Sequence, residues 1–207
     1  MKRRFHKGFT LIELAIALVI MALLAGSALV ALRVQSQRAN FGQTRDAIED
    51  AREALYNYAV VWGYLPCPAV DDTGTAGTCP ANTDPNTSTA TAGMLPWQEL
   101  GVSGQDAWGQ RLRYAVSNAL LPPAVPSLAA GGNSSLVIMD GTTRLSSNGA
   151  VAFAVWSVGA DAESATSIPL QSSAVHAEPS SDDIVIWGSR YVLMGRLVQG
   201  GRQIPLK

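Results

Sequence analysis

From Phe9 to Leu32 the chain runs for 24 residues without Lys, Arg, Asp, Asn or Gln, broken by a single charge, Glu13. As a helix this stretch extends about 36 Å, enough to cross a hydrocarbon core of about 30 Å. The pattern then changes period without stopping. Val34, Phe41, Ile48, Leu55 and Trp62 recur every seven residues, which predicts one buried stripe on a continuing helix. Arg38, Arg45 and Arg52 follow the same period beside it, while Asp46, Glu49, Asp50 and Glu53 take other faces. Arg45 and Glu49 stand at the i,i+4 spacing of an ion pair. Gly42 weakens the helix by up to about 1 kcal/mol relative to alanine. Gly63, with Pro66 and Pro68 behind it, marks the end. A coiled coil fits less well than a sheet partner, because the adjoining Gln37, Thr44, Ala51 and Tyr58 make a mixed second seam.

Residues 64–96, dominated by Pro, Thr, Asp, Gly and Ala, read as a long loop, either an interaction surface or a tolerated insertion. Short β-type runs follow at Arg111–Ser117, Ser135–Met139, Ala150–Val158, Asp183–Trp187 and Tyr191–Val198. Arg111 to Val116 alternates as a half-buried strand does, whereas Val151–Trp156 is almost uniformly apolar and suits a central strand. No long helical pattern separates these runs, so the sheet is predicted antiparallel. The expected class is α+β: a long N-terminal helix, with a transmembrane half and an amphipathic half, packed on a small antiparallel β-sheet.

Charge adds a topology to this outline. Of the 15 basic residues four, Lys2, Arg3, Arg4 and Lys7, fall in the first eight positions with no acid among them. The remainder carries eleven basic against 16 acidic side chains. Such a body is a poor match to nucleic acid, whose affinity comes from neutralised phosphates, so no nucleic-acid partner is expected. The basic cluster instead places the N-terminus in the cytoplasm, and everything after Leu32 is then exported. Cys67 and Cys79, without histidines nearby, do not supply a structural zinc site. A disulfide in an oxidising compartment is the better reading, with two free buried thiols as the alternative.

Three readings compete for the N-terminal segment. A secretory signal peptide has the same basic start and finds small residues for a cut at Ala25–Ala28. Its apolar run would be unusually long, however, and Glu13 would lie inside it. A plain membrane anchor leaves Glu13 unexplained too, because a carboxylate in lipid costs a few kcal/mol and ordinarily has a partner or a task. The third reading comes from Lys7-Gly8-Phe9-Thr10-Leu11-Ile12-Glu13-Leu14. This segment closely resembles the processing site of type IV pilins and of the pseudopilins of type II secretion. The resemblance implies a pilin-like fold and cleavage after Gly8 by a prepilin peptidase. It also implies N-methylation of Phe9 and a role for Glu13 in pairing with the N-terminus of a neighbouring subunit. The implied segments are a leader at 1–8, helix halves at 9–32 and 33–62, a disulfide-containing loop region at 63–105 and a sheet region at 106–207.

Two further pieces extend the resemblance. Asp106-Ala107-Trp108-Gly109, leading into a strand, is similar to the Asp-Pro-Trp-Gly turn of major pseudopilins. Trp156 to Asp161, with Ser181-Asp182-Asp183-Ile184 after it, is similar to the loop where those pseudopilins bind calcium. Asp161, Asp182 and Asp183 are the implied carboxylate ligands, although Ala162 stands where the family has glycine, and the aspartates would serve equally as turn caps. No catalytic motif occurs, and of the two histidines His6 lies in the leader and His176 in a Ser/Ala/Pro-rich stretch read as a solvated loop. The chain is therefore expected to be a substrate of the peptidase and methylase, not an enzyme. Its length points to a minor subunit. The rival is a membrane-anchored periplasmic binding or sensor domain that never polymerises.

Overall fold

The computed structural model describes residues 10–79, 90–122, 136–140, 143–146, 149–160, 174–177 and 183–202, with the backbone alone at 24–32, 139, 140, 143 and 174–177. The chain divides into two units, Met1–Phe41 and Gly42–Lys207. Helix α1, Leu11–Trp62, supplies the first and enters the second.

In the first unit, the described apolar side chains from Leu11 to Leu23 are all half or more exposed. Among the described residues no helix is long and apolar enough to cross a membrane, so the transmembrane half expected over 9–32 is not supported by the structure.

In the second unit α1 buries Thr44, Ile48, Ala51, Leu55, Tyr56 and Ala59. The row advances in steps of three and four, not in the strict sevens expected. An α-helix of 3.6 residues per turn drifts about 20° per heptad, so a seven-step row rotates off a flat partner. Ile48 and Leu55 accordingly lie in the core, whereas Trp62 is 55% exposed. The second seam, with Thr44 and Ala51 fully buried, is part of the packed face after all. The helix stops at Gly63, whose φ of 87° is open to glycine and whose N–H donates to the Ala59 carbonyl at 2.7 Å. Glu49 pairs with Arg52 at 2.5 Å rather than with Arg45.

Facing α1 is an antiparallel sheet in the order β1-β2-β5-β7, made of Ala90–Met94, Arg113–Ser117, Val151–Ser157 and Ile184–Ser189. Every residue of β5 is buried because both faces of the sheet are covered, which accounts for its uniformly apolar sequence. One face joins Tyr114, Val116, Phe153 and Val155 to Ile48 and Leu55. Tyr56 meets Phe153 edge to face at 5.2 Å between ring centres. The other face, with Ala115, Ala154 and Trp156, packs on Leu136 and Ile138. There β3 (Val137–Asp140) pairs antiparallel with β4 (Thr143–Arg144) and parallel with β6 (Ala174–Ala177). The second sheet and its parallel pair were not expected. His176 lies in β6, in register with Met139, instead of in a loop.

Two further expectations fail. The 64–96 segment is not loop throughout: its end forms β1, and a bridge joins Ala69 to Met94. A short helix, α2 (Trp97–Leu100), follows. The run Tyr191–Val198 is not a strand but belongs to a helix, α3, Arg190–Gln199. Leu193, Met194 and Leu197 form its buried face, at helical spacing, while Tyr191 and Val198 are exposed. Its Arg196 donates to both carboxylate oxygens of Glu53, at 2.7 and 3.2 Å, and lies 4.4 Å above the Tyr56 ring. Arg202, just beyond, donates to the carbonyls of Val60 and Val61 at the negative end of α1.

The Arg196 hydrogen bond holds the Glu53 carboxyl below its ordinary value, against a smaller opposing effect of burial. A carboxylate depressed in the folded state adds stability above its unfolded value and loses it as pH falls through the folded one. Both side chains are partly exposed, so the effect is modest. Glu53→Gln is expected to lower stability slightly at neutral pH, where the carboxylate's contribution is present, and to converge on the unmodified chain toward pH 3, so that the acid limb flattens, as read by thermal unfolding between pH 3 and 7.

Candidate functional site

The N-terminal end of α1 is capped from its own sequence. Thr10 precedes the first helical residue, and its hydroxyl accepts the Glu13 N–H at 3.4 Å. Glu13 reaches back, accepting the Thr10 N–H at 3.5 Å and its hydroxyl at 3.4 Å. This is the reciprocal Thr-x-x-Glu capping box, legible in the sequence but not read there. Glu13 thus lies in the first turn, where a carboxylate meets the positive end of the helix. Gly8 and Phe9 lie outside the described residues. From Leu11 to Leu23 the exposed surface is apolar on all faces apart from Glu13, with Leu11 at 89% and Leu23 at 70%. A stretch of helix that is apolar and exposed all round among the described residues is a surface suited to being covered by a partner.

At the far end of α1, Cys67 and Cys79 form a disulfide with Cα atoms 5.3 Å apart. The stapled turn packs on the body: Ala69 and Met94 exchange backbone hydrogen bonds, Gly77 N–H reaches Pro68 O, and the Glu99 carboxylate accepts from Ala76 N–H. Gly74, at φ 74°, lies so near the Trp97 indole that no side chain fits there. Closing a loop of this size limits the unfolded chain, so replacing both cysteines by serine is expected to lower stability by roughly 3 kcal/mol. Denaturant unfolding with and without reductant measures the loss, and the double variant should show no further change on reduction.

Asp106 anchors the turn into β2. Its Oδ1 accepts the N–H groups of Trp108 (2.9 Å) and Gln110 (2.8 Å), and its Oδ2 accepts the Ser157 hydroxyl at 2.5 Å. Ser157 Oγ in turn accepts the Gly159 N–H, and the Ala107 N–H donates to Thr44 on α1. One carboxylate therefore ties the turn to the end of β5, and its neighbour ties it to the helix. Both carboxylate oxygens are engaged, which gives this aspartate a stabilising task.

Of the three implied calcium ligands, Asp161 and Asp182 lie outside the described residues. Asp183 is described, directly before β7, and already has an interaction partner. Among the described residues no three His, Cys, Asp or Glu side chains gather closely enough to hold a metal.

In comparison with known proteins, residues 3–29 match the family described as the prokaryotic N-terminal methylation motif, the signature of type IV pilins and pseudopilins. Among curated proteins and among solved structures, none matches the chain.

Proposed function

We propose that this chain, which carries the N-terminal methylation motif, is a structural subunit of a type IV pilus or a type II secretion pseudopilus. In this reading prepilin peptidase cuts after Gly8 and methylates the new N-terminus at Phe9. The first half of α1 holds the subunit in the inner membrane with its body in the periplasm. The same helix then packs against those of other pilin or pseudopilin subunits, where helix contacts replace lipid. The supporting observation is the capped helix at Thr10–Glu13, exposed and apolar on every face with one carboxylate in its first turn. A filament core supplies cover for the apolar surface. The amine freed by cleavage on an adjacent copy supplies a partner for the carboxylate, each lowering the desolvation cost of the other. A subunit in the wrong axial register leaves both without a partner, so the pair acts on register more than on strength.

Mass spectrometry of the native protein tests the reading at its junction. The expected N-terminus is N-methyl-Phe9. An intact Met1, or a cut near Ala28, removes the filament reading and leaves the anchored periplasmic module.

A further inference from the structure

In the unit Gly42–Lys207, helix α1 turns two flanks outward on either side of its buried row, and their charges differ. On one side, Arg45, Glu49 and Arg52 form a groove of about 490 Å³ with residues 183–187. Glu49 is taken up there by Arg52, which also approaches Glu53. Asp183, the other acid, is already engaged. Arg45 is exposed and has no ion pair among the described residues. On the other side, Gln43, Asp46, Ala47 and Asp50 form a groove of about 520 Å³ with Gly101, Val102 and Ser103. No basic residue lines it, and neither aspartate has an ion pair among the described residues.

We infer that a second copy of this chain sets the Arg45 flank of its helix against the Asp46–Asp50 groove of the first. The two patches do not overlap, and Arg45 and Asp50 differ by only about 7.5 Å along the axis, so copies standing side by side bring them level. A two-fold dimer through either patch would oppose like charges, arginine to arginine or aspartate to aspartate. Charge therefore favours the head-to-tail arrangement, which leaves a free flank at each end and repeats without closing. The inference rests on the filament reading and names the neighbour within it. Copies that dock on one another also follow one another, which departs from the minor rank that chain length suggested.

The test is charge reversal and restoration in the full-length chain, scored by the fraction recovered in pelleted filaments. Arg45→Glu and Asp50→Arg alone are each expected to lower that fraction about tenfold, and together to restore it to within about threefold of the unmodified chain. Arg45→Gln, which removes the charge without reversing it, should lower it less. Both positions are exposed, and an unchanged thermal midpoint shows that folding is intact. Single reversals that pellet normally, or a double variant as poor as the singles, overturn the inference while the filament reading stands. If the unmodified chain carries an unprocessed N-terminus and never pellets, the filament reading fails and the inference fails with it.

Discussion

Asp106→Ala is expected to lower the stability of the body by about 4 kcal/mol, through polar groups left without partners rather than through lost apolar packing. The carboxylate is 8% exposed and satisfies two backbone N–H groups and one hydroxyl. Removing it strands the donors of Trp108 and Gln110 and frees Ser157, itself fully buried, from the contact that places its oxygen under Gly159. Asparagine keeps one accepting oxygen and puts an amide against the hydroxyl, so Asp106→Asn should lose about half as much. Urea unfolding followed by tryptophan fluorescence reads both variants. A loss below about 1 kcal/mol for alanine would show that the turn holds without its carboxylate.

The second large effect concerns assembly. Glu13→Leu is expected to be processed at Gly8–Phe9 as efficiently as the unmodified chain, yet to enter filaments about a hundredfold less, the equivalent of two steps of 1.4 kcal/mol. Glu13→Gln should also fail, because an amide restores the size of the side chain but not its charge toward the neighbouring amine. The measurement is the filament-to-membrane ratio, with the mature N-terminus checked by mass. Incorporation of both variants at the ordinary level would mean that Glu13 serves only the capping box with Thr10. Thr10→Ala separates the two roles. It removes the hydroxyl contact and is expected to cost about 1 kcal/mol of local helix stability, with a far smaller effect on incorporation.

The parts legible in the sequence are those where local chemistry and tertiary context agree. The end of α1 at Gly63 needs only a residue that accepts a positive φ. Strands β2, β5 and β7 are rich in Val, Ile and aromatic residues, and their positions were expected to within a few residues. Strand β1 was missed because Ala-Thr-Ala-Gly-Met has little preference of its own; pairing with β2 makes it a strand. In α3, Tyr191, Val192 and Val198 suggest a strand, whereas the deciding feature is the spacing of Leu193, Met194 and Leu197. Residues beside a glycine in so short a run give periodicity little to work with. The buried row of α1 was misplaced for a geometric reason, since a seven-residue count follows the helix for a turn or two and then leaves it. At the site, the carboxylate of Glu13 stood out because a charge in an apolar run is costly. The task of Asp106 did not, because Ser157, its partner, is 51 residues away.

The last helix lies against the first. Leu193, Met194 and Leu197 fill the core around Tyr56 and Ala59, Arg196 grips Glu53, and Arg202 covers the carbonyls where α1 ends. A polypeptide that lacks residues 190–207 presents this bare strip of α1 to proteases. Premature stop codons near the 3′ end of the gene should thus produce degraded protein instead of shortened, half-active subunits, because the body is sealed only when its tail arrives.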